Sequence, residues 1–146
     1  MATTERPVPV AFGYHPYVQL PGTARRDVVL RLPARRHLEL DDQQLPTGAA
    51  REERVEDDAI GTRAFDDLYE LVDDRDLALA GGGRRLVLTL DDGYPYAQVF
   101  APPGAEFVCL EPMTAPVNAL VDGRCALVAP GDRYTARFTL GIEDRH

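Results

Sequence analysis

The sequence contains no lysine, because all sixteen of its basic residues are arginine. A chain without lysine can form neither a Schiff base nor a lysine nucleophile, so both kinds of covalent catalysis are excluded. No run of apolar residues approaches the roughly 18 that a membrane-spanning helix requires. Residues 1–7 also lack the apolar region of an export signal. We therefore expect a cytoplasmic protein with no membrane partner.

Basic residues are fewer than acidic ones, 16 against 24, which gives a formal net charge of −8. Such a surface repels phosphate groups, so nucleic acid is not expected as a partner. Cysteine is scarce as well, and Cys109 and Cys125 both lie within apolar segments. We interpret them as buried structural thiols rather than as a disulfide or a metal-binding pair.

Apolar and polar residues alternate along much of the chain, which is the pattern of strands that have one buried face. The alternating segments are residues 27–32, 85–90 and 134–143. Two further apolar segments, residues 97–101 and 107–110, flank the turn formed by Pro102, Pro103 and Gly104. The three glycines at 81–83 separate two apolar segments and predict a hairpin connection.

Residues 43–62 are polar, acidic and weakly patterned, so they are interpreted as a long loop that could contain a short helix or a lid. No amphipathic helix of convincing length is present elsewhere. With 45% apolar residues the chain has the composition and the size of one globular domain, spanning residues 1–146. The sequence thus predicts an all-β protein, an antiparallel β-sandwich.

Three polar, turn-rich segments are candidates for chemistry: residues 12–17, 65–69 and 109–120. The first places His15 between two tyrosines and before a proline that restricts the histidine backbone. The last places Glu111 directly after an apolar strand. A carboxylate in that position is expected to lose solvation, which raises its pKa and makes it a better base.

These segments carry a resemblance to a known family. Residues 13–17, Gly-Tyr-His-Pro-Tyr, resemble the HPYF segment of the aldose 1-epimerases, which are galactose mutarotase-like proteins. Residues 111–120, EPMTAPVNAL, resemble the EPMTAPTNAL form of that family's glutamate motif and depart from it at Val117. Residues 65–69 are similar to the DDVF segment, and residues 98–100 to the QVYT strand.

The resemblance implies a galactose mutarotase-like sandwich and the interconversion of the α and β anomers of a hexose. Glu111 would be the base and His15 the acid, while Asp66 and Gln98 would bind sugar hydroxyls. Ring opening needs one proton removed from the anomeric hydroxyl and one delivered to the ring oxygen. The resemblance therefore implies neither a metal nor a cofactor.

The resemblance extends over about residues 9–142 and matches the carboxy-terminal half of the family's chain. We therefore expect a truncated domain whose uncovered sheet edge and apolar face favour association. A homodimer or a complementing amino-terminal fragment would cover them. The alternative function is a catalytically incomplete carbohydrate-binding remnant of the family.

Other interpretations remain open at this stage. Glu111 and Asp66 could act as the two carboxylates of a glycoside hydrolase, although the histidine motif argues against it. A hexose 6-phosphate would require arginines at the pocket, and the pairs 25–26 and 35–36 are the candidates.

Some of these residues also have alternative interpretations, in which another residue takes the role or the role is only structural. Asp67 could replace Asp66, and Gln98 could serve only in strand pairing. His37 is interpreted as a structural loop residue, and the glutamates at 39, 52, 53 and 56 as solvated surface groups.

Overall fold

The computed structural model describes residues 2, 3 and 5–144, and in this part of the chain thirteen strands account for most of the regular structure. The strands are β1 (Val8–Val10), β2 (Tyr17–Val18), β3 (Val29–Leu32), β4 (Arg35–Leu40), β5 (Pro46–Glu53), β6 (Glu56–Ala59), β7 (Phe65–Leu71), β8 (Asp76–Gly81), β9 (Arg84–Asp92), β10 (Tyr96–Ala101), β11 (Val108–Met113), β12 (Ala126–Val128) and β13 (Arg137–Asp144). A 3-10 helix spans Arg25–Asp27, and the short helix α1 spans Ala119–Asp122. Within residues 2, 3 and 5–144, neither helix has the length to cross a bilayer.

The strands form two large sheets and one small one. The six-stranded sheet has the order β2-β11-β10-β7-β4-β5, and the five-stranded sheet has the order β13-β9-β8-β3-β6. Strands β1 and β12 pair separately. Every pairing among the described strands is antiparallel. The prediction of an all-β, antiparallel fold is therefore confirmed.

The two large sheets share one hydrophobic core. Leu30 and Leu88 of the five-stranded sheet belong to the same buried cluster as Val99 and Leu110 of the six-stranded sheet. Because successive side chains of a strand point to opposite faces, the residues that alternate with Val99 and Leu110 point away from this core. The side chains on the outer face of the six-stranded sheet are thus not part of this core and are available to form a binding site.

The glycine segment forms the predicted hairpin between β8 and β9. Gly81 pairs with Arg84, which leaves Gly82 and Gly83 as a two-residue loop. Both loop residues have a positive φ, 57° and 74°, a conformation that favours glycine and suits the twist of a tight hairpin.

The interpretation of residues 43–62 as a long loop is wrong. Most of this segment is strand, namely β5 and β6. Each lies at the edge of its sheet, β5 beside β4 alone and β6 beside β3 alone. Edge strands are largely exposed and often carry charged side chains, so they lack the apolar alternation that marks a half-buried strand.

The last strand, β13, is also an edge strand, and it pairs only with β9. The alternation in residues 134–143 predicted one buried face, yet Leu140 and Ile142 are 46% and 72% exposed. The prediction of a strand is confirmed, and its apolar face is covered as far as Phe138, which packs against the core, but not at Leu140 and Ile142. The free edge of β13 and these two side chains form an uncovered surface, here called the β13 edge.

Candidate active site

His15 and Glu111 lie next to each other, with 3.1 Å between His15 Nε2 and Glu111 Oε1. Glu111 is in β11 and, since its neighbour Leu110 is in the core, its side chain is on the outer face of the six-stranded sheet. His15 belongs to the segment between β1 and β2, and β2 pairs with β11. The fold therefore brings together the two residues that sequence analysis named as acid and base.

Main-chain contacts dock the histidine segment onto the glutamate segment. The Tyr14 N–H donates to the Pro112 carbonyl at 3.1 Å, and the Thr114 N–H donates to the Phe12 carbonyl at 2.9 Å. The Thr114 hydroxyl accepts from the Phe12 N–H and donates to the Phe12 carbonyl, both at 2.9 Å. These contacts, here called the backbone clamp, set the position of His15 relative to Glu111.

Gly13 is required at the centre of the backbone clamp. It forms an isolated bridge with Met113, and a Cβ atom added to it would lie 2.9 Å from the Pro112 carbonyl oxygen. Side-chain carbons do not approach backbone oxygens so closely, so any other residue would push the two segments apart.

Gln98 and Asp66 lie on the adjacent strands and extend the site. Gln98 in β10 is directly opposite Glu111 in β11, and Asp66 in β7 is directly opposite Phe100 in β10. The Gln98 Nε2 amide donates to Asp66 Oδ1 at 2.7 Å. All four residues named from the sequence therefore meet on one face of three neighbouring strands.

These residues border an open cleft of about 320 Å³. Its lining consists of His15, Leu40, Gln44, Asp66, Gln98, Phe100, Glu111, Met113 and Val117. Leu40 ends β4, and Gln44 lies in the turn that follows with a φ of 61°. Sequence analysis missed both, because neither belongs to a recognisable segment and only the pairing of β4 with β7 brings them here.

Glu111 has the electrostatic properties of a base. Glu111 is only 8% exposed, and this burial raises the pKa of its carboxyl. The charge of the nearby His15 lowers this pKa, and the charge of Asp66 raises it. The net direction is upward, which increases the affinity of the carboxylate for a proton. A carboxylate in this state can both accept a proton and release it again.

Two buried oxygens of the cleft lack a hydrogen-bond donor among the described residues: Glu111 Oε1 and Gln98 Oε1. Although His15 Nε2 is within ion-pair distance of Glu111 Oε1, no hydrogen bond with proper angles joins them. Buried acceptors are normally paired, and leaving one unpaired is costly. The site is thus suited to a ligand that brings hydroxyl donors.

Aromatic rings surround His15. Its ring stacks on Tyr17 with 4.7 Å between centroids, and Phe100 meets it edge to face at 6.0 Å. The side chain of His15 is nevertheless 47% exposed, so a ligand can reach it. Tyr14 packs on Phe138 instead and remains exposed.

Cys109 is buried on β11 two residues before Glu111, and neither it nor Cys125 is in a disulfide. Burial, with a further contribution from Glu111, raises the pKa of the Cys109 thiol to about 11. This side chain is therefore a neutral thiol at physiological pH. Cys125 is only partly buried, so the prediction that both thiols are buried holds for Cys109 alone.

Asp67, the alternative to Asp66, is paired elsewhere. His37 contacts Asp67 Oδ1 through Nε2 at 3.2 Å and Glu53 Oε1 through Nδ1 at 2.8 Å. Asp67 lies between Asp66 and Leu68 on β7, so it points to the opposite face from Asp66. Burial raises the pKa of Asp67, while the charge of His37 opposes this rise.

A charged cluster contains several residues for which the sequence predicts loop or surface positions. His37 is a buried strand residue of β4 rather than a loop residue, and Glu53 is not a freely solvated group. Burial alone would raise the pKa of Glu53, but hydrogen bonding to His37 and the charge of Arg35 hold it below its usual range. We call Arg35, His37, Glu53, Glu56 and Asp67 the β4 charge cluster.

Arginine is absent from the cleft lining given above, as far as residues 2, 3 and 5–144 are concerned. Arg25 donates to the Arg63 and Ala101 carbonyls, both at 2.7 Å. Arg35 is engaged by glutamates of the β4 charge cluster. The arginine pairs therefore do not form the phosphate-binding group that a hexose 6-phosphate would need.

Comparisons with known proteins bear on the family and on the fold of the chain. A family model described as aldose 1-epimerase matches residues 1–141. No curated protein sequence matches the chain. The solved structures that are similar to it include a galactose mutarotase-like protein from Clostridium acetobutylicum, a GalM/aldose epimerase homologue from C. elegans and the Slr1438 protein from Synechocystis sp. PCC 6803.

The three similarities are close in shape and distant in sequence. The TM-scores are 0.83, 0.77 and 0.75, with sequence identities of 18%, 20% and 21%. The alignments cover 97%, 99% and 97% of this chain but only 49%, 54% and 47% of the other chains. This chain thus spans about half the length of the structures it resembles, and at such identities they bear on the fold alone.

Proposed function

The chain belongs to the aldose 1-epimerase family, and on that premise we propose that it interconverts the α and β anomers of a hexose by acid/base ring opening. The observation that carries this proposal is the approach of His15 Nε2 to Glu111 Oε1, 3.1 Å, beside an open cleft. The anomeric hydroxyl and the ring oxygen are both bonded to the anomeric carbon. An acid and a base that serve these two oxygens must therefore be close neighbours.

The proposed reaction moves two protons. The Glu111 carboxylate removes the proton of the anomeric hydroxyl, whose oxygen becomes the aldehyde oxygen as the bond between the anomeric carbon and the ring oxygen breaks. Protonated His15 donates its proton to the departing ring oxygen, so no charge is left on the sugar. After rotation about the C1–C2 bond, His15 takes back that proton, the ring closes, and Glu111 returns the other proton to the anomeric oxygen.

Asp66 and Gln98 are proposed to hold the sugar. Sugar hydroxyls donate hydrogen bonds, and Gln98 Oε1 is a buried acceptor without a donor among the described residues. The hydrogen bond from Gln98 Nε2 to Asp66 Oδ1 orients both side chains before the sugar arrives. Pre-oriented acceptors lose less entropy on binding, which favours affinity.

The proposal is tested by polarimetry of freshly dissolved α-D-glucose and α-D-galactose, with purified protein compared with buffer alone. We expect an acceleration of the change in rotation that is proportional to the concentration of protein. Folded protein that accelerates neither sugar would contradict the catalytic proposal for these hexoses.

The second candidate function is carbohydrate binding without turnover. The chain spans about half the length of its structural relatives, and His15 stands at an open cleft with a side chain that is 47% exposed. An open site excludes water poorly, which weakens its electrostatic interactions. Sugar binding seen by calorimetry from protein that is inactive in polarimetry would support this candidate.

We further propose that a second copy of the chain covers the β13 edge. This edge offers unpaired backbone groups and the exposed side chains Leu140 and Ile142, a combination that favours strand-to-strand association. Light scattering should give twice the mass of one chain, and Ile142→Lys should return it to the mass of one. Val72→Lys, at an exposed valine after β7, is the matched control and should remain dimeric.

A monomer at all concentrations would contradict the homodimer. Recovery of activity on adding the amino-terminal half of a relative would then favour a complementing amino-terminal fragment as the partner.

A cytoplasmic location is also part of the proposal. Cys109 and Cys125 are both free thiols, as is usual in a reducing compartment. Recovery of the protein from the secreted fraction of cells rather than from the cell extract would contradict this location.

A further inference from the structure

Three side chains with metal-binding atoms converge at the candidate site. One ligand atom each from His15, Cys109 and Glu111 lies within 4.8 Å of the other two. Cys109 and Glu111 are two residues apart on β11 and so share a face of that strand, while His15 is brought in by the backbone clamp. The proposed epimerase reaction uses His15 and Glu111, and it gives the Cys109 thiol no role.

The chemistry of this set selects the metal. Imidazole nitrogen, thiolate sulfur and carboxylate oxygen are the three ligand types of protein zinc sites, with bonds of about 2.0–2.3 Å to the metal. A thiol ligand disfavours Mg²⁺ and Ca²⁺, which bind oxygen. Side-chain rotations that move the three atoms by about 1 Å would bring them to the mutual distances of ligands around a tetrahedrally coordinated ion. The fourth coordination position of that ion would face the cleft.

We propose that His15, Cys109 and Glu111 form a Zn²⁺ site whose occupation inhibits the protein. Zn²⁺ would take the lone pair of His15 Nε2 and an oxygen of Glu111, and the Cys109 thiol would release its proton to solvent on binding. With both groups coordinated, neither can carry a proton to or from a sugar. The inhibitory effect rests on the proposed epimerase function, whereas the binding of the metal does not.

The cation reaches the site from the cleft. His15 is the exposed member of the set, while Glu111 and Cys109 are buried behind it. The strand neighbours of Cys109 are Tyr17 and Phe100, so its surroundings are aromatic and offer no competing ligand in those two positions. Zn²⁺ would first contact His15 and Glu111, and then displace the thiol proton.

Metal binding is tested first without any sugar, using Co²⁺ as the probe. The protein is freed of metal with EDTA, dialysed and then titrated with Co²⁺. A thiolate-to-cobalt charge-transfer band should appear, saturate at one equivalent of Co²⁺ and be abolished by Zn²⁺. Cys109→Ser should lose the band. Cys125→Ser removes the other thiol and should retain it, which makes it the matched control. The absence of a band from the wild-type protein would overturn the proposal, and so would a band that survives in Cys109→Ser.

The effect on activity is measured separately by polarimetry. Zn²⁺ should slow the wild-type reaction, excess EDTA should restore it, and EDTA alone should not reduce the starting rate. Loss of one ligand in Cys109→Ser should raise the Zn²⁺ concentration needed for half inhibition by at least about tenfold. A wild-type rate that Zn²⁺ leaves unchanged would overturn the inhibition.

The two proposals fail in different ways. A cobalt band in protein without epimerase activity would leave the metal site standing and overturn the proposed function. Epimerase activity without a cobalt band and without inhibition by Zn²⁺ would support the proposed function and overturn the metal site.

Discussion

Glu111→Gln is expected to lower the rate of anomer interconversion by about 10²–10⁴-fold, the usual contribution of one general acid or base. Glutamine keeps the shape of the side chain but has no carboxylate to accept the proton. The measurement is polarimetry at saturating sugar. Glu52→Gln makes the same chemical change at an exposed position of β5 and should leave the rate unchanged.

The same argument predicts the acidic limb of the pH profile. Burial raises the pKa of Glu111, His15 opposes the rise and Asp66 adds to it, with a net shift above the ordinary value of 4.5. Glu111 works as a base only when it is ionised, so the rate should fall on acidification at a pH above that of an ordinary glutamate. A full rate in Glu111→Gln, or a limb at or below pH 4.5, would contradict the assigned base.

Arg35→Met is expected to reduce the free energy of unfolding by about 3–5 kcal/mol, the cost of removing one partner from a buried ion pair. The Arg35 side chain is 3% exposed, and its Nη2 lies 2.6 Å from Glu53 Oε2 and 2.9 Å from Glu56 Oε2. Its guanidinium also lies over the Tyr69 ring, 4.7 Å from the centroid. Methionine fills much of the same space but removes the buried cation, so that Glu56 keeps only its exposed partner Arg63 and Glu53 keeps Arg51 and His37.

Arg36→Met is the matched control for this experiment. Arg36 is the next residue of β4, its side chain is 43% exposed, and it pairs with Glu52 and Glu70. Exposed pairs contribute about 0–1 kcal/mol, so this variant should unfold at nearly the urea concentration of the wild type. Equal losses in the two variants would show that the β4 charge cluster contributes no more than a surface pair.

The sequence was sufficient where a short segment carries its own signal. The alternation of Leu86, Leu88 and Leu90 predicts β9, because a strand with one buried face repeats every two residues. His15 and Glu111 were found in the same way, each within a recognisable segment. Their contact was not predictable from spacing, since the backbone clamp joins residues 102 positions apart.

What the sequence could not provide depends on strand pairing. His37, Glu53 and Asp67 are ordinary polar residues when read along the chain, and only the register of β4 with β5 and β7 brings them together. β5 and β6 were missed because an edge strand exposes both of its faces to water more than a central strand does. The same limit applies to Leu40 and Gln44 in the cleft.

The backbone clamp has a consequence for how such a protein can evolve. All four of its hydrogen bonds either run between backbone groups or involve the hydroxyl of Thr114, so the side chains of Phe12, Tyr14 and Pro112 do not make them. Substitutions at those three positions that preserve the packing of these side chains therefore leave the hydrogen bonds of the clamp in place. The side chains that line the cleft make none of these hydrogen bonds, so they too can change while the clamp is kept. Substitutions at Gly13 and Thr114, in contrast, would disrupt the clamp itself.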